Sequence, residues 1–281
     1  MLVYALQISW SLGFFVVLAV GTVSLVVYGI SVLIQRPQSA DEVLAQWWAR
    51  KGAVPTVLGL ILGVFTVWVL LSWTADHLSS NVTKGQLRQL GLAMHNYHGD
   101  FDRFPAAAIY SKDGKPLLSW RVTLLPFLGH DSLFKQFNLQ EPWDSDHNKR
   151  LLPLMPDIYR SHHYPCVDTS FTFYRVFTGP GTVFDGNNRM TLEMLHLGDG
   201  PHNTLLIVEA GEPVPWTKPD ELPFTPQGPL PPLGGPRGSV FHFVAGDGSS
   251  YMAPKNIATE KLRAWITATG GERELPIDLG R

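Results

Sequence analysis

The stretch LRQLGLAMHNYHGDFDRFP, Leu87 to Pro105, gathers His95, His98, Asp100 and Asp102 within a few residues. Imidazole nitrogens and carboxylate oxygens are zinc ligands, and His95, His98 and Asp102 are spaced i, i+3 and i+7, so they could share one metal from one helix face. The competing reading is the polar side of an amphipathic helix. No second histidine–carboxylate pair has a spacing that completes a shell. SHHYPCVD supplies His162, His163, Cys166 and Asp168, three residue types able to bind zinc, yet no companion C-x-x-C or H-x3-H accompanies it, and a partly exposed loop explains it as well. Three Asp-Gly steps form a third set: Asp185-Gly186, followed by Asn187-Asn188, then Asp199-Gly200 and Asp247-Gly248. Their hard oxygen atoms suit calcium, and Asp185, Asp199 and Asp247 are the ligand candidates. The full twelve-residue calcium loop is absent, and ordinary turns account for each step separately.

Covalent chemistry finds less support. There is no G-x-S-x-G elbow and no G-x-x-x-x-G-K-[ST] phosphate loop, and GPGTVFDG (Gly179 to Gly186) matches neither a phosphate nor a dinucleotide fingerprint. No serine is paired with histidine and aspartate in an order that sequence alone supports. The chain therefore reads as a non-enzyme, with no cofactor expected unless calcium binds.

The elements that must position these residues begin with two apolar segments. Met1 to Gln35 carries no charged residue, and neither does Ala53 to Trp73. Each exceeds the ~20 residues that a helix needs to cross ~30 Å of hydrocarbon. The first lacks a basic n-region and an A-x-A site, so it reads as a retained span. The expected layout is a transmembrane helix over 1–35, a cytoplasmic loop over 36–52, a second transmembrane helix over 53–73, and an extracytoplasmic domain over 74–281. Arg36, Arg50 and Lys51 put the loop on the cytoplasmic side, and Trp47, Trp48 and Trp73 suit interfacial positions. A formal net charge of -2 gives no electrostatic case for nucleic acid, and the single cysteine cannot form an internal disulfide.

After Trp73 the pattern becomes periodic. Leu87, Leu90, Met94, Tyr97 and Phe101 recur at intervals of three and four, which predicts an amphipathic helix continuing the second span as a stalk and ending near Gly99 to Pro105. Gly85 and Gly91 only weaken it. Asp113-Gly114 predicts a hairpin. Short helices are expected at Leu124 to Leu128, Asp131 to Phe137 and Ser145 to Leu152. Strands are expected at Thr169 to Gly179, Thr204 to Gly211 and Ser239 to Gly246, then a closing helix capped by Gly270. Blocks of helix and strand without βαβ alternation indicate an α+β fold with a mainly antiparallel sheet. The proline-rich run EPVPWTKPDELPFTPQGPLPPLGGPRG is expected to be an extended surface loop, excluded from helix and central strand and packed through Trp216 and Phe224.

Ordered blocks from Lys84 to Gly271, among them GQLRQLGLAMHNYHGDFDRFP, SWRVTLLPFLGHDSLFKQFNLQEPWDSDHNKRLL, GDGPHNTLLIVEA, PVPWTKPDELPF and HFVAGDGSSYM, resemble the bacterial prepilin-like proteins with a C-terminal domain of unknown function 1559. The resemblance implies a pilin-like or pseudopilin-like architecture, a hydrophobic helix leading into a small antiparallel sheet outside the inner membrane. It establishes no enzymatic activity. Two departures stand out. The prepilin peptidase site would need glutamate at the fifth residue after Gly52, where Val57 stands. The family signature of histidine, nine residues, then Asp-Gly has Arg237 in the histidine position, so only Asp247 and Gly248 carry over, as a turn. The expectation is a non-enzymatic, inner-membrane-anchored protein making protein or envelope contacts, related to secretion or pilus machinery, with oligomerisation open. The alternative is a membrane-anchored domain that binds or senses a small ligand through the proline-rich loop and the Asp-Gly turns. An envelope hydrolase using His95, His98 or Asp102 ranks third.

Overall fold

The computed structural model describes residues 40–164, 168–186, 190–236 and 238–270. The first expected span, Cys166, Asn187, Asn188 and Arg237 lie outside these residues. Contacts divide the chain into two units, Met1–Leu71 and Ser72–Arg281.

What is described of the first unit belongs to helix α1, Ala40–Phe101, so the expected loop is helical from Ala40 onward. Where two spans were expected, the described residues contain one segment long and apolar enough to cross a membrane. It lies within Ile61–Phe101 and includes an 18-residue window of mean hydropathy 1.4, none of it buried. Phe65, Leu70 and Leu71 are among its exposed apolar side chains.

The second unit is α+β. From Thr83 the helix changes character: Leu87, Leu90 and Met94 are fully buried and Leu92 between them is exposed, the 3.6-residue period of a one-sided contact. Gly91 turns out to be a contact residue rather than a weakness. A Cβ there would stand 2.9 Å from Val244 Cγ2 and 3.1 Å from Gly248 Cα, so only glycine lets the helix sit this close to the sheet. Phe101, expected in the buried stripe, is 51% exposed. It is the last helical residue, where the chain leaves the sheet, and the rings of Tyr97 and Phe127 pack against it.

The hairpin at Asp113-Gly114 forms as β1 (Ala108–Tyr110) and β2 (Pro116–Ser119), with Gly114 in the left-handed region at φ 78°. Short elements follow: α2 (Trp120–Thr123), a 3-10 turn at Leu125–Leu128, α3 (Asp131–Phe134), and a 3-10 turn at Asn148–Leu154 where a helix from Ser145 was expected. Pro153 lies inside that last turn and removes a backbone donor. The central sheet has strand order β3 (Phe171–Arg175), β5 (Leu205–Pro215), β7 (Val240–Ala245) and β8 (Ser250–Pro254), every pair antiparallel. The expected strand Thr169 to Gly179 splits after Arg175. Its end, β4 (Phe177–Thr178), pairs in parallel with β6 (Leu222–Pro223). Between β5 and the sheet's last strands comes the proline-rich run, and before β5 lies α4 (Leu192–Leu197).

One expectation fails at the head of that run. Glu212 to Pro215 belong to β5, a central strand, which extends four residues past Gly211. Its register explains how prolines are tolerated there: these residues pair with β3 alone, since β7 pairs only with Leu205 to Val208. Pro213 and Pro215 therefore sit where the strand has become an edge.

Both faces of the sheet are covered. On β7, Phe241 and Phe243 join a core with Leu262, Trp265 and Ile266 of α5 (Thr259–Ile266), while Val244 joins the core of Leu87, Leu90 and Met94. Period-two alternation thus sends successive residues to opposite helical layers. Helix α5 ends at Ile266 with Thr267, rather than Gly270, as its C-cap; the Gly270 N–H instead donates to Asp199 Oδ2 at 2.9 Å.

Candidate functional site

Strand β2 ends at Ser119, and its hydroxyl caps α2 by accepting from Arg121 N at 3.3 Å. That cap turns the next side chains inward, so Trp120 and Arg121 are fully buried. A buried guanidinium needs its donors answered. Arg121 Nε donates to Tyr174 O at 3.0 Å, and Nη1 donates to Ser119 Oγ and, at 2.8 Å, to Glu221 Oε1. Glu221 comes from the proline-rich run, and its Oε2 accepts from Val176 N at 2.9 Å. Beside it, Asp220 accepts from Arg175 Nη2 at 2.8 Å and from Lys218 Nζ at 2.7 Å. The run is therefore pinned to the hairpin and to β3 by charge.

This cluster also concentrates the shifted acids and bases outside the core tyrosines. Burial pulls Arg121 below its ordinary range and pushes Glu221 above its own, with each partner's charge opposing the shift. The 2.8 Å contact and the Val176 N–H hold the pair ionised. Asp220 is lowered: burial alone would raise it, but Lys218 and Arg175 outweigh that. Tyr110 is raised, by burial and then by the Glu221 charge. Over this cluster opens a cleft of about 390 Å³ lined by residues that include Tyr110, Thr178, Phe184, Lys218, Asp220 and Glu221. Shifted groups converging on a concave site mark a functional candidate. A larger cleft, about 680 Å³, lies against Phe171, Phe173 and the Pro232 to Pro236 segment, away from this charge cluster.

A second polar group lies under α1. Ser80 Oγ stands 2.6 Å from His242 Nε2, and His242 Nδ1 stands 2.6 Å from Glu209 Oε2. Serine, histidine and carboxylate in that order is the geometry of an activated nucleophile. Other features make it a clamp. Glu209 and His242 are completely buried, and Glu209 also accepts from His242 N at 3.0 Å and from Ser161 Oγ at 2.6 Å. Ser80 lies in the body of a helix, whose N–H groups are already spent, and lines neither cleft. The chain of bonds ties α1 to the two middle strands.

The residues singled out from sequence are dispersed. His98 Nε2 accepts from Leu192 N at 3.0 Å. His95 packs against Phe104 and the Gly248 turn, and burial, then the neighbouring His98, lowers its pKa. Asp102 is exposed and ends α1 in the left-handed region at φ 53°. Asp185 is exposed, Asp199 is buried and accepts from Gly270 N, and Asp247 accepts from His202 Nδ1 and Ser249 Oγ, both at 2.7 Å. Among the described residues no three His, Cys, Asp or Glu side chains are grouped so as to hold a metal. His162 approaches Gln86, at 3.3 Å, and His163 N donates to Thr83 Oγ1. Arg121, Glu221, Glu209 and His242 were missed. Their signal was a lone charged or polar residue inside an apolar run, as in LLIVEA and VFHFVA, which marks a buried group needing a partner.

No curated protein and no solved structure matches the chain. Residues 83–166, from the buried half of α1 through α2 and its Arg121 to the turn after Tyr159, match the family model described as a protein of unknown function (DUF1559).

Proposed function

We propose that this is a non-enzymatic, pilin-like protein of the bacterial inner membrane, anchored by α1, whose α+β domain faces the extracytoplasmic side and makes protein or envelope contacts, in the manner of secretion or pilus components. One observation carries the reading: a single helix bears an exposed apolar segment at Ile61 to Leu71 and, later, a face buried in an antiparallel sheet at Leu87, Leu90 and Met94. The test is membrane fractionation with in-cell crosslinking and mass spectrometry. The protein is expected in the inner-membrane fraction, resistant to carbonate extraction, with protease added outside the inner membrane cutting the domain. Recovery in the soluble cytoplasm refutes it, and an N-terminus at Ala53 would bring back prepilin processing despite Val57.

A second reading is favoured by the 390 Å³ cleft: a membrane-anchored domain that binds or senses a small ligand. The cleft joins the two features expected to do so, the proline-rich run through Lys218 to Glu221 and an Asp-Gly turn through Gly186. Calcium remains a proposal for Asp185, Asp199 and Asp247 only as separate weak sites, since they are not assembled into one.

A further inference from the structure

We infer that the larger cleft, about 680 Å³, takes an aliphatic ammonium, a di- or polyamine that brings positive charge to its carboxylates and methylenes to its apolar walls. This cleft shares no lining residue with the 390 Å³ one, and the inference stands apart from the reading given for that site. It lies where two strands part. Between Thr172 and Tyr174 the register of β3 on β5 jumps from Val214 to Glu209. In that interval β5 turns its bonds to the proline-rich run: Ala210 bridges Leu233, and Gly211 N donates to Pro232 O at 2.8 Å. A Cβ on Gly211 would stand 2.9 Å from that oxygen, so glycine permits the approach. The cleft opens among these diverging elements, with Phe171 of β3, Gly211 to Pro213 of β5 and the Pro232 to Pro236 segment lining it.

Burial sorts that lining. Phe173 and Leu233 are buried, so they back the cleft without offering surface. Phe171 and Pro213 are half-buried and Pro232 and Pro236 exposed, which leaves an apolar wall within reach of a ligand. The three prolines also have no N–H, so the backbone there offers carbonyl acceptors and few donors. Charge then narrows the class. Asp168, Glu212 and Lys255 are the charged residues of the lining. Lys255 is engaged, since its Nζ donates to Gly235 O and stands 5.4 Å from the centroid of the Tyr164 ring. Asp168 Oδ1 accepts from Ser170 N at 2.8 Å, and neither carboxylate has an ion-pair partner among the described residues. Two carboxylates against one ammonium leave a negative charge over. An anion would be repelled, and a neutral apolar molecule would strip water from the carboxylates with no donor in return. An alkylammonium supplies the charge and three N–H donors, and each methylene it buries is worth up to roughly fourfold in affinity.

The experiment is isothermal titration calorimetry on the full chain in nonionic micelles at low salt. The probes are cadaverine, spermidine, ethylenediamine, glutarate and a trilysine peptide with blocked ends. Cadaverine and spermidine are expected to bind, and ethylenediamine, three methylenes shorter than cadaverine, at least about tenfold more weakly. Glu212→Gln should weaken the amines roughly fivefold, and Asp168→Asn should add a similar factor. Both carboxylates are exposed, so thermal unfolding should be unchanged in these variants. Glu193→Gln, which removes an exposed carboxylate on α4 outside the cleft, should leave affinity as it was. A trilysine peptide that binds more tightly than the free amines upholds the ammonium and makes its source a protein side chain. Binding of glutarate in place of the amines overturns the charge class. Equal losses for Glu193→Gln and Glu212→Gln reduce the binding to general surface charge and overturn the site, as does the absence of binding by any amine.

Discussion

Replacing Glu221 by glutamine should be among the most damaging single changes in the second unit. Arg121 has no exposed side-chain surface and Glu221 only 4%, so the substitution leaves a guanidinium in a dry site with its countercharge gone. Breaking a buried pair from one side costs about 3–5 kcal/mol, because the remaining charge keeps its desolvation penalty without its attraction. For a domain of about 150–250 residues, where 1 kcal/mol moves Tm by about 2–4 °C, that is a drop of roughly 6–20 °C. Glutamine keeps the acceptor for Val176 N, so the loss isolates the charge rather than the shape. The assay is thermal unfolding in micelles followed by tryptophan fluorescence, since Trp120 and Trp216 are buried near the pair. Arg121→Met should cost a similar amount. The double variant Arg121→Met, Glu221→Leu should recover much of it, because an apolar pair of similar volume pays no desolvation. A Tm drop under about 2 °C for Glu221→Gln, or a double variant as unstable as the sum of the singles, refutes the reasoning.

Glu209→Gln, which removes a charged acceptor serving three donors, should cost about 1.5–3 kcal/mol, whereas Ser80→Ala, at the outer end of the clamp, should cost only about 0.5–1 kcal/mol; equal effects in thermal unfolding would contradict the clamp. Leu90→Ala should lose about 2–5 kcal/mol while Leu92→Ala, one turn-face away and 59% exposed, stays within about 0.5 kcal/mol. His95 has a lowered folded pKa, so its contribution is fully present above the unfolded value near ~6.5 and is lost as pH falls through the folded value. Unfolding scans from pH 8 to pH 5 should therefore show a decline that His95→Gln flattens, and an unchanged slope would remove His95 as its source.

Periodicity carried the architecture. The Leu87, Leu90, Met94 spacing, the Asp-Gly turn and the three apolar runs located α1, the hairpin and three of the four strands of the antiparallel sheet; β8, Ser250–Pro254, was not foreseen, because its short, half-buried run carries no apolar block. What failed depended on neighbours that sequence does not name. Phe101 fits the helical stripe but falls beyond the sheet's reach, and Pro213 enters a central strand because β7 stops short of it. The charge cluster was hidden for the same reason. Arg121 and Glu221 stand a hundred positions apart, and nothing local to SWRV or KPDELPF says that one answers the other. Conversely, the dense His95, His98 and Asp102 group was conspicuous because its members are adjacent in sequence, and the fold sends each to a different task.

The clamp at Ser80 has a consequence for any release of the domain by proteolysis. Leu71, the last residue of the first unit, and Ser80 are separated by about two and a half helical turns. A cut within that interval leaves the core of the second unit whole. One a further two turns along removes Thr83, Gln86 and Leu87, which are core residues, and the product unfolds. The helix that carries the exposed apolar segment thus also supplies one of the two layers that cover the sheet, and the window in which a cut spares the core is short.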